Sequence, residues 1–527
     1  MRERKSWIRV VDDGLTRRGF VTGAAALAAL AALSRVPVAR AMGVLPAPFP
    51  PPFALGIASG EPTSQSVVLW TRLAPDPLNG GGMPPVAVPV KWEVAVDEAM
   101  QKVVRTGVVN AVPESAHTVH ARVSGLAPDR WYWYRFIVGG EASPVGRTRT
   151  FPLPNASPAR MRFAFASCQS WDAGFYTAYR HMADEDLDFV VHVGDYIYEG
   201  GVDPNAPRSH DGPEPKDLPA YRNRHALYKT DPYLQAIHAK FPFIPTFDDH
   251  EVENNYAGDR DENGSPPDVF LARRAAAYRA YWEHMPIGSY AVPVGPDMRL
   301  YRSLRFGRLA EFAVLDTRQY RSPTPCDSEL SDCPARFDPS RTMTGPKQEQ
   351  WLLRTLELSP ATWRVLAQQV IMAQFNLGLI VDPEGTLFNL DQWDGYPAAR
   401  NRILGHVLSR GISNVVVLTG DFHLSFVADL KADFGDPASA TVATEFVGTS
   451  ITSGFPANLT NLARAATALN THFKFFDAGK GYVRCEVDRM GWRSDYRIVD
   501  SILDVNAGIR TLASFHVEES VPGAVRI

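Results

Sequence analysis

The sequence predicts an α/β fold, in which a large layered domain follows a smaller domain made of β-strands. The chain has 527 residues, more than one hydrophobic core usually holds, so two domains are expected. From about residue 160, strand-like apolar runs alternate with helical ones, which is the pattern of a layered α/β domain. Four of the apolar runs end in short segments that carry Asp, His, Cys or Tyr. Functional residues of open α/β sheets commonly lie at such carboxyl ends of strands.

Residues 1–41 predict an export signal. They contain the twin-arginine segment Thr16–Val21 (TRRGFV), an Ala/Leu run from Ala24 to Leu33 and the small-residue motif Ala39–Ala41. These features are typical of a twin-arginine signal peptide that is cut after Ala41. A membrane anchor is the alternative, but the apolar run is well short of the roughly 20 residues that a spanning helix needs. We therefore expect a periplasmic or extracellular protein that uses the twin-arginine export machinery and has no transmembrane anchor.

The net charge argues against a stable nucleic-acid partner. It is −4 for the whole chain and about −9 without the first 41 residues, which hold eight basic and three acidic side chains. No cluster of Lys and Arg remains that could follow a phosphate backbone. A small phosphate ester is still a suitable substrate.

The region before residue 160 predicts a Pro-rich lead-in at residues 42–52 and a small antiparallel β-sandwich at residues 53–151. Gly and Pro separate three β-rich runs, at Ser66–Thr71, Val90–Val96 and Trp131–Phe136. The run from Gly125 to Phe136 resembles the corner of a fibronectin type III-like domain.

The region from residue 160 to residue 527 predicts the larger domain. Strands are expected at Arg162–Ala166, Leu187–Val193, Phe243–Phe247, Leu309–Leu315, Arg364–Val370 and Val415–Thr419. Helices are expected at Phe175–Met182, Val269–Met285 and Lys347–Leu356. The second helix should place Leu271, Ala275, Tyr278 and Trp282 on its buried face.

The four cysteines have different expected states. Cys326 and Cys333 flank a short polar loop and should form a local disulfide in an oxidising compartment. Cys485 lies in an alternating segment and reads as a core residue. Cys168 has no evident partner and stands at a strand end.

The strand-end segments predict a metal site. Asp195, Asp249 and Asp421 supply oxygen ligands, and His423 supplies an imidazole. A thiolate and a phenolate favour a strongly Lewis-acidic metal such as ferric iron or zinc, and Cys168 and Tyr198 offer these groups. Asp421 and His423, which are two residues apart in an extended segment, should point the same way and share a cation.

Taken together, the motifs resemble those of the PhoD-type alkaline phosphatases. In chain order they are Ser167–Gln169, Gly194–Glu199, Asp248–Glu251 with Asn254 and Asn255, Leu315–Tyr320, Trp393–Tyr396 and Gly420–His423. The resemblance implies a metallophosphoesterase-like sandwich of two central mixed β-sheets flanked by helices, preceded by a small fibronectin III-like β-sandwich. It also makes residues 160–527 the catalytic domain.

The resemblance further implies Fe³⁺ with Ca²⁺ nearby, other divalent metals being an alternative. Cys168 and Tyr198 would bind iron, Asp195 would bridge iron to calcium, and Asp421 and His423 would complete the calcium side. Asp249 stands where related enzymes carry an Asn, which leaves its metal role open. Asn254 or Asn255 would bind through its amide oxygen, Asn254 being favoured, or both would only hold the loop.

The expected activity is hydrolysis of phosphate monoesters, diesters or both by a metal-activated hydroxide. Asp195 and His250 are the candidate catalytic residues, with His250 protonating or stabilising the leaving oxygen; a helix-capping or core histidine is the alternative for His250. Arg318 and Tyr320 would line the pocket or serve only the structure. Substrates would be small phosphate esters or phospholipids. A phospholipase D-type phosphodiesterase and a non-catalytic exported binding protein are the competing functions.

Overall fold

Two large β-sheets packed face to face form the centre of the computed structural model, which describes residues 51–326, 328–436 and 438–527. The predicted signal peptide and most of the Pro-rich lead-in lie outside the described residues. The described residues belong to one compact unit. Within the described ranges, no helix is both long and apolar enough to span a bilayer.

The strands are numbered along the chain. They are β1 Ile57–Gly60, β2 Ser66–Arg72, β3 Val88–Ala95, β4 Val103–Ala111, β5 Thr118–Ser124, β6 Trp131–Val138, β7 Glu141–Ala142, β8 Gly146–Arg149, β9 Arg160–Ala166, β10 Phe189–Val193, β11 Phe243–Thr246, β12 Arg302–Phe306, β13 Ala310–Val314, β14 Leu330–Ser331, β15 Trp363–Ala367, β16 Phe388–Asn389, β17 Val415–Thr419, β18 Ser425–Lys431, β19 Thr441–Val447, β20 Phe473–Asp477, β21 Gly481–Asp488, β22 Gly491–Val499, β23 Ile509–Glu518 and β24 Val525–Arg526.

The α-helices of the described residues flank the sheets. They are α1 Thr177–Asp184, α2 Leu218–Lys229, α3 Pro232–Lys240, α4 Pro267–His284, α5 Gly345–Leu358, α6 Pro397–Ser409 and α7 Ala457–Leu469. Asp217 and Asp231 cap α2 and α3 by accepting hydrogen bonds from backbone amides of the first turn.

Parallel strands form the middle of both large sheets. The ten-stranded sheet has the order β24-β23-β22-β21-β9-β10-β11-β1-β2-β5, and the seven-stranded sheet has the order β12-β13-β15-β17-β19-β18-β20. β9, β10 and β11 are parallel to one another, as are β13, β15, β17 and β19. The carboxyl ends of these strands therefore lie at a common edge of each sheet.

A continuous apolar core fills the space between the two sheets. Phe163 and Phe189 from the first sheet meet Phe312 from the second, with ring centroids 5.1 to 5.4 Å apart. A second core lies between the ten-stranded sheet and helices α1 to α4, and a third lies between the seven-stranded sheet and helices α5 to α7. This arrangement confirms the predicted sandwich of two mixed sheets flanked by helices.

The N-terminal strands divide between two sheets. β3, β4, β6 and β7 form a separate sheet, with β8 paired to β6. β1, β2 and β5 instead extend the ten-stranded sheet, because β1 runs parallel to β11 and pairs Gly60 with Phe243. The β-rich region before residue 152 is thus joined to the layered fold through backbone hydrogen bonds.

Most predicted elements are present, with boundaries shifted by a few residues. The strand predicted to reach Val370 ends at Ala367. The buried face predicted for α4 is only partly correct, since Tyr278 and Trp282 are buried whereas Leu271 and Ala275 are half-buried. The C-terminal half of α4 is buried on almost every side because it lies between α2 and β2, so a single apolar stripe does not describe it.

Candidate metal centre

The strand-end segments predicted to carry chemistry converge at one edge of the sandwich. Cys168 follows β9, Asp195 follows β10, Asp249 follows β11, and Asp421 and His423 follow β17. Oxygen, nitrogen and sulfur atoms of these side chains fall into three groups whose members lie within 4.8 Å of one another: Cys168 with Asp195 and His423, Asp195 with Asp249 and His250, and Asp248 with Asp249 and Asp421. Because Asp195 and Asp249 each belong to two groups, the three groups form one continuous cluster.

Left-handed backbone conformations aim four of these side chains. Cys168, Asp195, Asp421 and His423 all have φ between 57° and 59°, a region that non-glycine residues rarely adopt. Such a conformation costs on the order of 1 kcal/mol or more per residue and is typical of functional sites. It also departs from the extended segment expected at Asp421 and His423, and the two side chains consequently enter different groups.

The loops are held by buried carboxylate and amide side chains. Glu251 accepts hydrogen bonds from the backbone amides of Asp195, Tyr196 and Asp248 at 2.6 to 3.1 Å. Gln369 donates to the carbonyl oxygens of Phe247 and Leu315, each at 2.9 Å, and so links the two sheets at this edge. These bonds satisfy buried backbone groups that would otherwise be unpaired.

Tyr198 is at the centre of the first group. Its hydroxyl lies 3.0 Å from Oδ2 of Asp195, 2.9 Å from Nε2 of His423 and 2.7 Å from Oγ of Ser453. Cys168 is buried and is not in a disulfide, and its Sγ lies 3.0 Å from Oγ of Ser167. The predicted disulfide joins Cys326 to Cys333.

The tautomer of His423 follows from its neighbours. Nδ1 lies 2.8 Å from the carbonyl oxygen of Gly454, an acceptor only, so Nδ1 carries the proton. Burial, followed by the positive charge of Lys480, lowers the pKa of His423 to about 3. The imidazole is therefore neutral, and Nε2 presents a lone pair towards Tyr198, as a metal-binding histidine requires.

Arg318 organises the group formed by Asp248, Asp249 and Asp421. The guanidinium is fully buried and contacts Asp248, Asp391 at 2.8 Å and Asp421 at 3.0 Å. It also lies 3.6 Å from Asp249. Arg321 also pairs with Asp391, at 2.6 Å. Four carboxylates beside two guanidinium groups still leave an excess of negative charge, which the protein interior tolerates poorly.

Several of these atoms have no hydrogen-bond partner among the described residues, namely Oδ1 of Asp195, Oδ2 of Asp248 and Oδ1 of Asp249. Burial, followed by the charge of Asp249, raises the pKa of Asp195 well above its usual value. Burial also raises the pKa of Asp421, to about 7, although Arg318 opposes the rise. Unpaired, mutually repelling carboxylates are the chemistry that multivalent cations stabilise.

The thiol and the phenol fit the same interpretation. Burial and then the charge of Asp195 raise the pKa of Cys168 and the pKa of Tyr198 well above their usual values. Both groups stay protonated on their own, and a bound cation would favour the thiolate and the phenolate. The donor set of Cys168, Asp195, Tyr198 and His423 thus suits a strongly Lewis-acidic metal.

His250 lies beside the cluster and is paired with Glu199. Nδ1 of His250 is 2.7 Å from Oε2 of Glu199, and the imidazole packs against the ring of Tyr198 at a centroid distance of 4.1 Å. Burial by itself would lower the pKa of His250, but the carboxylates of Glu199, Asp249 and Asp195 together raise it well above the usual value. The imidazolium form is therefore available at this position.

Asn254 does not direct its amide nitrogen at the cluster. That nitrogen donates to Glu262 at 2.7 Å, and the backbone amide of Asn254 donates to Glu199 at 2.8 Å. The backbone amide of Asn255 donates to Oδ2 of Asp249 at 2.7 Å, so the loop that contains Asn255 orients the carboxylate of Asp249.

Other residues of the site had weak or no signal in the sequence. Asp248 and Glu199 lie within the motifs but resemble ordinary loop acids there. Ser453 and Asp391 are far from the motifs that they contact, and no local pattern marks them. Arg318 was ambiguous between pocket and structure, and the structure places it in contact with both Asp248 and Asp421.

The cluster opens to solvent on the side of His250 and Tyr198. These two side chains line a cavity of about 360 Å³ together with Ser170, Asp172 and Glu199. A small phosphate ester is of a size that such a cavity holds.

Comparison with known proteins places the chain in a family. The family model described as "PhoD-like phosphatase" matches residues 163–496, and the model described as "PhoD-like phosphatase, N-terminal domain" matches residues 40–152. Alkaline phosphatase D of Bacillus subtilis (strain 168) is 47% identical over 530 residues, which cover 98% of this chain and 90% of that protein.

A solved structure described as "Structure of PhoD" agrees with the fold. It superposes with a TM-score of 0.88 at 48% sequence identity, and the match covers 92% of this chain and 93% of the other. The chain therefore belongs to the PhoD-like phosphatase family and is a hydrolase of phosphoric esters.

Proposed function

We propose that this phosphatase acts through a ferric iron and calcium ions held by the strand-end cluster. Cys168, Tyr198, His423 and Asp195 would hold the iron, and Asp195, Asp249, Asp421 and Asp248 would hold calcium. The single observation that carries the proposal is the set of buried, unpaired carboxylate oxygens on Asp195, Asp248 and Asp249. The position of His423 beside Tyr198 favours the iron side for this imidazole, in place of the calcium side expected from the resemblance.

The bound cations would activate a water as nucleophile and neutralise charge on the phosphoryl oxygens. The protein's own residues then have three tasks. Asp195 holds the two halves of the cluster together, because it belongs to two of the ligand groups. Arg318 orients Asp421 and Asp248 by hydrogen bonds. Glu199 keeps His250 protonated so that the imidazolium donates its proton to the leaving oxygen.

Substrates would be small phosphate monoesters, diesters or both. The chain would be exported by the twin-arginine route, cut after Ala41 and active in the periplasm or outside the cell. Residues 53–151 would form an accessory domain and residues 160–527 the catalytic domain.

Elemental analysis of the purified protein tests the metal proposal directly. Iron and calcium should both be present. The protein should hydrolyse p-nitrophenyl phosphate and bis-p-nitrophenyl phosphate until a chelator removes the two metals. Protein without iron or calcium that hydrolyses these esters after chelation would refute the proposal. Asp195→Asn should lower turnover by about a hundredfold or more. The matched control is Asp172→Asn, because Asp172 lines the cavity but lies outside the cluster.

A further inference from the structure

We propose that helix α7 and the adjoining turn at residues 377–381 dock this enzyme on a phospholipid surface. The docking surface is defined by four exposed aliphatic side chains. Leu459, Leu462 and Leu469 of α7 are 42%, 50% and 47% exposed, and Val381 is 91% exposed. The 3₁₀ turn Gly378–Ile380 packs against α7, so Val381 directly follows an element that adjoins the helix. Apolar patches of this kind mark interaction sites.

The docking surface is connected directly to the metal centre. The chain runs from Ser453, which contacts Tyr198, through Gly454, which contacts His423, into α7. Phe422, next to His423, stacks on Phe455 with ring centroids 5.9 Å apart. An apolar path therefore leads from α7 to the edge of the cluster. A phosphodiester whose apolar part remained in a lipid layer would approach along this path.

The charge of this segment fits a phospholipid surface. Residues 446–476 contain no Asp or Glu, in a chain with a net charge of −4. Of the two basic residues of this segment, Lys474 is paired with Asp429 at 3.0 Å, which leaves Arg464 of α7 to face a lipid surface. Arg464 lies 4.5 Å from the ring of Phe476, so its charged group stands above apolar surface. Leucines beside a basic side chain are typical of helices that lie in a membrane interface. Asp382 and Glu384 follow Val381, so apolar insertion carries more of the binding than charge does.

The composition of the docking surface disfavours a protein partner. Energetic centres of protein interfaces are enriched in Trp, Tyr and Arg, whereas Leu and Val are under-represented there. The exposed residues of α7 are leucines among Ala, Asn and Thr, with Arg464 as the one charged side chain of the helix. A second copy of the chain is the remaining alternative occupant, and the test below separates it.

Co-sedimentation with vesicles tests the proposal without turnover. The protein used is residues 42–527, which contains the compact unit of the described residues and lacks the apolar leader. The vesicles are phosphatidylcholine alone or phosphatidylcholine with phosphatidylglycerol. We expect binding to both, and Leu459→Asp combined with Leu462→Asp should weaken it about tenfold or more. Arg464→Gln should weaken binding severalfold only on vesicles with phosphatidylglycerol.

Met490→Asp is the matched control. Met490 is 74% exposed in the turn between β21 and β22. Lys480, which donates to the carbonyl oxygen of His423, precedes the opposite end of β21. Its substitution should leave vesicle binding unchanged, and thermal unfolding should show that all variants are folded. Sedimentation velocity without lipid separates the alternative: a dimer that the double variant abolishes would overturn the proposal in favour of a second copy.

Wild-type protein that stays in the supernatant with both vesicles would also overturn the proposal, as would equal binding by the double variant. The substrate consequence rests on the proposed phosphodiester hydrolysis, but vesicle binding does not. Failure of the two ideas is therefore distinguishable, since a protein that binds vesicles without cleaving bis-p-nitrophenyl phosphate refutes only the phosphodiester part of the proposed function.

Discussion

The hydroxyl of Tyr198 lies 2.9 Å from Nε2 of His423, although 225 residues separate them in the chain. Tyr198 comes from the loop after β10 in one sheet, and His423 comes from the loop after β17 in the other. This contact joins the two sheets at the metal centre, and it makes the phenol and the imidazole candidates for the same cation.

Tyr198→Phe tests that assignment by spectroscopy. A phenolate bound to ferric iron gives a visible charge-transfer band, so the wild-type protein should be coloured and the variant colourless. Iron content should fall less than colour, because Cys168, Asp195 and His423 remain. Tyr228→Phe is the control, since Tyr228 is buried nearby and contacts the backbone of Tyr198. A colourless, iron-loaded and active wild type would rule out the iron phenolate.

Glu199→Gln should shift the pH dependence of turnover. The negative charge of Glu199 is the largest contribution that raises the pKa of His250, and its removal lowers that pKa. An acid catalyst must be protonated, so activity falls as the pH rises through its pKa. The variant should therefore lose activity at a pH about one unit lower or more.

The matched control for this shift is Glu262→Gln, because Glu262 also lines the cavity but bonds to Asn254. Its pH profile should match that of the wild type. If Glu199→Gln lowered turnover equally at every pH without shifting its pH dependence, Glu199 would have only a structural role.

Arg318→Met should destabilise the metal-free protein. It leaves the carboxylates of Asp248 and Asp421 buried without their guanidinium, at a cost of about 3 kcal/mol or more. Added calcium should raise the Tm of the variant more than that of the wild type, because the cation replaces part of the lost charge. Arg318→Lys should rescue little, since one ammonium cannot reach all the carboxylates.

Arg402→Met is the comparison for Arg318→Met. Arg402 forms a partly exposed ion pair with Glu349, and such pairs contribute about 1 kcal/mol or less. Equal losses of Tm in the two variants would show that burial of the Arg318 network has no special weight.

Lys229→Met should stabilise the protein in a pH-dependent way. Burial lowers the pKa of Lys229 from 10.5 to about 7, with the hydroxyl of Tyr196 at 3.0 Å and the ring of Trp70 at 4.4 Å as its contacts. Between these two pH values the unfolded chain binds more protons than the folded one. The free energy of unfolding of the wild type therefore rises with pH across this window as far as Lys229 is concerned.

The substitution Lys229→Met should accordingly raise the Tm most at and below pH 7, and the rise should shrink towards pH 10. At and below pH 7 the free energy of unfolding should increase by an amount on the order of a few kcal/mol. Lys216→Met, at a lysine whose side chain is 70% exposed, should show no such trend in the same thermal unfolding series. A gain in Tm that is independent of pH would contradict the lowered pKa of Lys229.

Local patterns were sufficient to predict the layered α/β fold and the strand-end positions of the cluster. Apolar runs that stop at Gly194 and Gly420 mark buried strands that end in functional loops. Gly194 itself is required by the structure, because its φ is +111° and a Cβ there would lie 2.4 Å from the Cβ of Asp248. Residue type and position at strand ends likewise predicted the candidate metal ligands Cys168, Asp195, Tyr198, Asp249, Asp421 and His423.

Tertiary structure alone decided which of these side chains meet. Asp421 and His423 are two residues apart and yet belong to different ligand groups. Both adopt left-handed backbone conformations, which the sequence does not predict. Arg318 is surrounded by carboxylates from three separate loops, and Ser453 reaches Tyr198 only because β19 lies beside β17 in the sheet.

The sequence by itself therefore determined the fold class, the family and the residue types of the site, since these depend on local periodicity and on short motifs. The partition of ligands, the tautomer of His423, the pairing of Glu199 with His250 and the apolar face beside the site depend on contacts between residues far apart in the chain. Such contacts are set by sheet order and by strained loop backbones, which no local pattern encodes.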